Sequence, residues 1–168
     1  MITAGVVVAD RGSAVVTVGR DGEALRCTAI ERIPFDLKAA AAAVRALDPD
    51  TRVVIDSEGL GTALWAVVRP RTDDQDALAR WTLYEGHGRD RQALVDLLLV
   101  AVEEDRFRFA PGLAEQDAMS KALQGYRRQV REDGLIGSEL AVALLLALIP
   151  APEPDPPSVY ESRGIDFL

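Results

Sequence analysis

The sequence predicts an α/β domain: a mixed sheet of five or six strands with helices on both faces. Three observations carry that prediction. Two apolar, β-branched runs, Val6–Val8 and Val53–Ile55, end in Asp10 and Asp56 and read as buried strands. Two further strand-like runs are joined by Arg20-Asp21-Gly22-Glu23, and Asp-Gly is a strong hairpin signal, so the first three strands form an antiparallel meander. Beyond residue 34 helix-like and strand-like segments alternate, the pattern of βαβ crossovers.

Taken in order, Gly5–Asp10, Ala14–Gly19 and Ala24–Ile33 are the first three strands, and Pro34 closes the third. Asp36 caps a helix reaching Leu47, whose Ala39–Ala43 run has high helix propensity, and Asp48-Pro49-Asp50 stops it. Val53–Asp56 is a fourth strand. Gly59 and Gly61 then let the chain turn into a helix over Thr62–Val68. Pro70 to Asp76 is a polar loop and Trp81–Tyr84 a fifth strand. Arg89–Glu104 is a long helix, because Leu94, Leu97, Leu98, Ala101 and Val102 share one face. Phe107–Phe109 is a short edge strand, Leu113–Arg131 a helix with a basic end, and Gly137-Ser138-Glu139 opens a last helix running to Ile149. Residues 1–149 thus form one domain. Pro150, Pro152, Pro154, Pro156 and Pro157 keep residues 150–168 out of helix and central strand, as an acidic C-terminal tail.

Composition sets the bounds. With 168 residues, 48% hydrophobic and 27% charged, the chain can bury one sizeable core. Cys27 is the single cysteine, so no intrachain disulfide is possible and a reducing, cytoplasmic setting is expected. The longest apolar run, Leu140 to Ile149, is 10 residues, too short to span a bilayer, and no signal-peptide pattern opens the chain; no membrane partner is expected. A net charge of −8 argues against nucleic-acid binding through the whole surface. Residues 106–131 are a local exception: Arg106, Arg108, Lys121, Arg127, Arg128 and Arg131 face only Glu115 and Asp117, a balance of +4. Lys121, Arg127, Arg128 and Arg131 are the candidate phosphate contacts for double-stranded DNA. His87, between two glycines, reads as a loop residue; Trp65 and Trp81 read as packing groups.

The chemistry-bearing feature is the pair of strand-end carboxylates. A carboxylate at the end of a buried strand is costly unless it is paired or holds a cation, and open α/β sheets build their sites beyond the carboxyl ends of strands. If the first and fourth strands are parallel neighbours, Asp10 and Asp56 emerge side by side, a metal-site arrangement.

That order of elements with those acids resembles the ribonuclease-H-like fold and, within it, the nuclease domain of the large terminase subunit of tailed phages. The residues carrying the likeness are Val-Val-Ile-Asp-Ser-Glu-Gly-Leu-Gly at 53–61, similar to that family's second-acid motif; Asp10 in the place of its first acid; and Arg106–Pro111, similar to the short strand before its late helix. Ser138-Glu139-Leu140-Ala141-Val142-Ala143-Leu144 stands where the family usually opens a small-residue helix with a pair of acids; here Ser replaces one of them. The resemblance implies a two-metal-ion phosphodiester hydrolase, an endonuclease using Mg²⁺ or Mn²⁺. Asp10, Asp56 and Glu139 would be its ligands, with Glu58 and Asp133 in reserve. Two hard cations about 4 Å apart would act on the attacking water and the leaving oxygen. It further implies DNA packaging in a viral setting, within a host cell's cytoplasm. The sequence contains no P-loop motif, so the ATPase motor would lie elsewhere on a longer chain or on a separate one. The tail ends in Val159-Tyr160 and Ile165-Asp166-Phe167-Leu168, apolar residues suited to docking a portal or motor protein. Two rival readings remain open. One is a ribonuclease-H-like domain whose acidic cluster has decayed and which serves as a binding or scaffold module. The other is a nucleotide-binding member of the actin-like superfamily, against which the chain has the length of one lobe only and no glycine-rich phosphate hairpin beyond Asp10-Arg11-Gly12-Ser13.

Overall fold

The computed structural model describes residues 1–10, 12–86, 89–132 and 139–150, with the side chains of 89–90 and 125–132 left undescribed. His87, Asp133, Ser138 and the tail from 151 onward therefore lie outside the described residues, as do the side chains of Arg127, Arg128 and Arg131.

Among the described residues six strands, β1 (Ile2–Ala9), β2 (Gly12–Asp21), β3 (Ala24–Ile33), β4 (Arg52–Asp56), β5 (Trp81–Tyr84) and β6 (Phe107–Phe109), form one mixed sheet in the order β5-β4-β1-β2-β3-β6. The meander β1-β2-β3 is antiparallel; β4 joins β1 in parallel, β5 joins β4 in parallel, and β6 joins β3 in parallel. The expected mixed sheet is thus present with all six strands.

Strand alternation divides the core in two. Val6, Val8, Val53 and Ile55 point to one face, where α1 (Leu37–Arg45) and α2 (Gly61–Val68) bury Ala40, Val44, Leu64 and Val68. Val7, Val16, Val54 and Cys27 point to the other, covered by α4 (Arg89–Glu103), α5 (Gln116–Glu132) and α6 (Glu139–Ala147). Helix α6 is buried on all sides, which its uniformly apolar sequence requires. Among the described residues no helix is long and apolar enough to cross a membrane.

Four details depart from expectation. The loop after Pro70 contains a short helix, α3 (Gln75–Ala79), because the Asp74 carboxylate accepts from the backbone N–H of Asp76 and Ala77 and closes a turn. Helix α1 stops at Arg45, two residues before Leu47. Helix α5 begins at Gln116 rather than Leu113, since Gly112 and Glu115 both take positive φ and interrupt helical geometry. Helix α6 ends at Ala147, two residues short of Ile149.

Candidate active site

The carboxyl ends of β1 and β4 and the amino end of α6 meet at one edge of the sheet. Helix α6 runs antiparallel to β1: Ala143 and Ala147 lie over Gly5, and one turn earlier Glu139 lies against Gly12. A Cβ at Gly12, whose φ is +148°, would stand 2.5 Å from the Glu139 carboxyl carbon, so a side chain there would push that acid aside as well as strain the backbone. At its other end the helix is closed by two cations: Arg20 Nη2 donates to the Leu148 carbonyl at 3.3 Å and Arg52 Nη1 to that of Ile149 at 2.6 Å. Glu139 sits at the positive end of the helix dipole, where an acid is favoured.

Asp56 ends β4. The following turn is tied to both flanking strands: Ser57 N–H donates to the Tyr84 carbonyl at 2.9 Å, and Leu60 N–H to that of Val8 at 2.9 Å. Gly59, at φ +60°, packs where a Cβ would come within 2.3 Å of the Val8 carbonyl oxygen. These contacts hold the Asp56 side chain on the face shared with α4 and α6, and it is 2% exposed.

A buried carboxylate requires a partner, and it has one. Arg91, in the first turn of α4, donates through Nη2 to Asp56 Oδ2 at 2.9 Å and Oδ1 at 3.2 Å. The same nitrogen lies 3.2 Å from Glu58 Oε1. The Arg91 side chain is 7% exposed. Glu139 is also paired: Arg32 Nη1 lies 3.3 Å from its Oε1, while Arg32 Nε donates to Glu115 at 2.8 Å.

Asp10 occupies a different setting. β1 and β4 are parallel neighbours as expected, but the two acids are not level. The register Val6↔Ile55 sets Asp56 opposite Val7, so Asp10 lies three residues, about 10 Å of strand, further along. Ala9 pairs with Gly12, making Asp10 an exposed residue of the tight β1–β2 turn. Lys121 is exposed on α5.

The donor set has the right chemistry for a hard divalent cation, since carboxylate oxygens are its preferred ligands. The arrangement does not fit one: among the described residues no three acids, histidines or cysteines are grouped to hold a metal, and a guanidinium already fills the position against Asp56 and Glu58.

Arg91 and Arg32 escaped the sequence reading. Arg91 carried one signal: a cation in the first turn of a helix opposes the helix dipole and so implies a carboxylate nearby. Arg32 carried none, because its partners are contributed by segments 83 and 107 residues away.

No family model matches the sequence, and no curated protein matches it. The fold, however, is similar to that of the human cytomegalovirus terminase nuclease domain. The Mn-soaked form of that domain is 15% identical, with a TM-score of 0.52 over 86% of this chain and 81% of that one. The Mn-soaked, inhibitor-bound form is 13% identical, with a TM-score of 0.51 over 86% and 80%. The expected ribonuclease-H-like architecture is therefore present, shared with a viral terminase nuclease domain.

Proposed function

We propose that residues 1–149 are a terminase-type nuclease domain that cleaves double-stranded DNA in a viral packaging system. What supports the reading is the six-stranded mixed sheet, similar in fold to the cytomegalovirus terminase nuclease domain, with Asp10 following β1, Asp56 ending β4 and Glu139 opening α6, three acids toward the same end of the sheet though not grouped as a metal cluster among the described residues. A divalent cation, Mg²⁺ or Mn²⁺, is the proposed cofactor, and holding it at Asp56 would require Arg91 to give up the position it fills there. Lys121, Arg127, Arg128 and Arg131 on α5 are the proposed phosphate contacts, and residues 150–168 a proposed docking segment for a portal or motor protein, the ATPase lying on a longer form of this chain or on another.

The test is cleavage of supercoiled plasmid with Mg²⁺ or Mn²⁺ against EDTA, by the purified chain and by Asp10→Ala. Metal-dependent nicking that Asp10→Ala abolishes supports the reading; cleavage by both proteins, or by neither with either metal, ends it.

One observation favours the second reading, a decayed domain acting as a binding module: the Arg91 guanidinium standing against Asp56. That reading expects DNA or protein binding with no cleavage under any metal.

A further inference from the structure

We propose that Arg91 is a built-in counter-cation that closes the acidic edge, so that its pairing with Asp56 and Glu58 and the loading of a divalent cation at those acids exclude each other. This deepens the nuclease reading and rests on it for the kind of cation.

The geometry supplies the argument. One guanidinium nitrogen lies within 3.2 Å of three carboxylate oxygens on two acids, the contact a small cation would make. Arg91 is 7% and Asp56 2% exposed, so water screens little of the charge between them, while Glu58, 50% exposed, opens the site to solvent on one side. A divalent ion added beside Asp56 while Arg91 stayed in place would set two like charges in contact against a buried carboxylate. Helix α4 gains nothing from keeping Arg91 there, since its own dipole repels a first-turn cation. Arg91 Nε, moreover, is buried without a hydrogen-bond partner among the described residues. Among those residues the side chain is held by the two acids alone, and by one end of its fork. A cation competing for those oxygens, or a phosphate drawing the guanidinium outward, would contest that contact.

The experiment is Mn²⁺ titration of the full chain, following the free-ion paramagnetic resonance signal, for the native protein, Arg91→Gln and Arg91→Gln/Asp56→Asn. Arg91→Gln should bind Mn²⁺ at least tenfold more tightly than the native chain, and the gain should vanish in the double variant. Equal affinity of native and Arg91→Gln overturns the proposal, and the level at which they agree separates it from the nuclease reading. If both bind tightly, the closure is wrong and the cation site stands; if neither binds, both fall. A gain that survives Asp56→Asn also overturns it, by locating the ion elsewhere. Should circular dichroism show Arg91→Gln unfolded, Arg91→Lys takes its place. An ammonium keeps the charge but loses the fork, so a smaller gain in Mn²⁺ affinity is expected, and no gain overturns the proposal.

Discussion

Gly5 lies directly beneath Ala143: a Cβ on Gly5 would stand 1.9 Å from the Ala143 carbonyl oxygen. The obstacle is helix backbone rather than a movable side-chain tip, so the helix sits closer to β1 than any other residue would permit. Because Glu139 is one turn upstream of Ala143, this contact also sets the height of the acid over the β1–β2 turn. Gly5→Ala should lift α6, destabilising the fold by about 1–3 kcal/mol as an overpacked core does. Urea denaturation reads the loss, and an unchanged midpoint would show that the helix can slide at no cost.

The Asp56–Arg91 pair is buried at both ends, so truncating one partner takes a close counter-charge from the other in a poorly solvated place. Asp56→Ala and Arg91→Ala should each cost about 3–5 kcal/mol, whereas replacing both by apolar residues of similar volume should cost much less. A double-mutant cycle by urea denaturation measures this. Additive losses would mean the two side chains do not act as a pair.

Asp10→Ala should behave oppositely. The residue is exposed in a turn, so the melting temperature should stay close to native, a change within about 0.5 kcal/mol, while plasmid cleavage is abolished. Loss of stability together with activity would make Asp10 a turn-forming residue first.

Burial pushes the Cys27 thiol up from 9.0 to about 12. The native thiol therefore stays protonated where an unfolded one ionises. Reaction with a disulfide reagent at pH 8 should be slow and should accelerate on adding denaturant. The linkage sign follows: the raised native value contributes stability below pH 9 that is lost as pH climbs from about 9 toward 12. Rapid labelling of the native chain would contradict the burial.

Charge reversal at Lys121, Arg127, Arg128 and Arg131 should weaken binding to duplex DNA at low salt. It should also flatten the dependence of affinity on salt, by about one unit of slope for each phosphate no longer neutralised. Fluorescence anisotropy across a salt series checks this; an unchanged slope would leave these residues as ordinary surface.

The strands of the sheet could be read from the chain's local patterns. β-branched runs at 6–8 and 53–55, the Asp-Gly hairpin at 21–22 and the apolar stripe of α4 are local patterns, and each emerged as an element close to its expected bounds. The all-apolar stretch at 140–147 likewise marked a helix buried on every side. Local chemistry also pointed to Asp10, Asp56 and Glu139 as candidates, because an acid ending an apolar run is costly if buried; Asp56 is buried and Asp10 exposed. What those acids do with their charge was decided only by tertiary structure. The stagger between Asp10 and Asp56 depends on strand register, and register is fixed by packing across the whole sheet. The pairing of Asp56 with Arg91 joins residues 35 apart, and that of Glu139 with Arg32 residues 107 apart. No local pattern encodes such partners. A buried carboxylate must be neutralised, but whether by an ion or by an arginine depends on which helix the fold lays beside it.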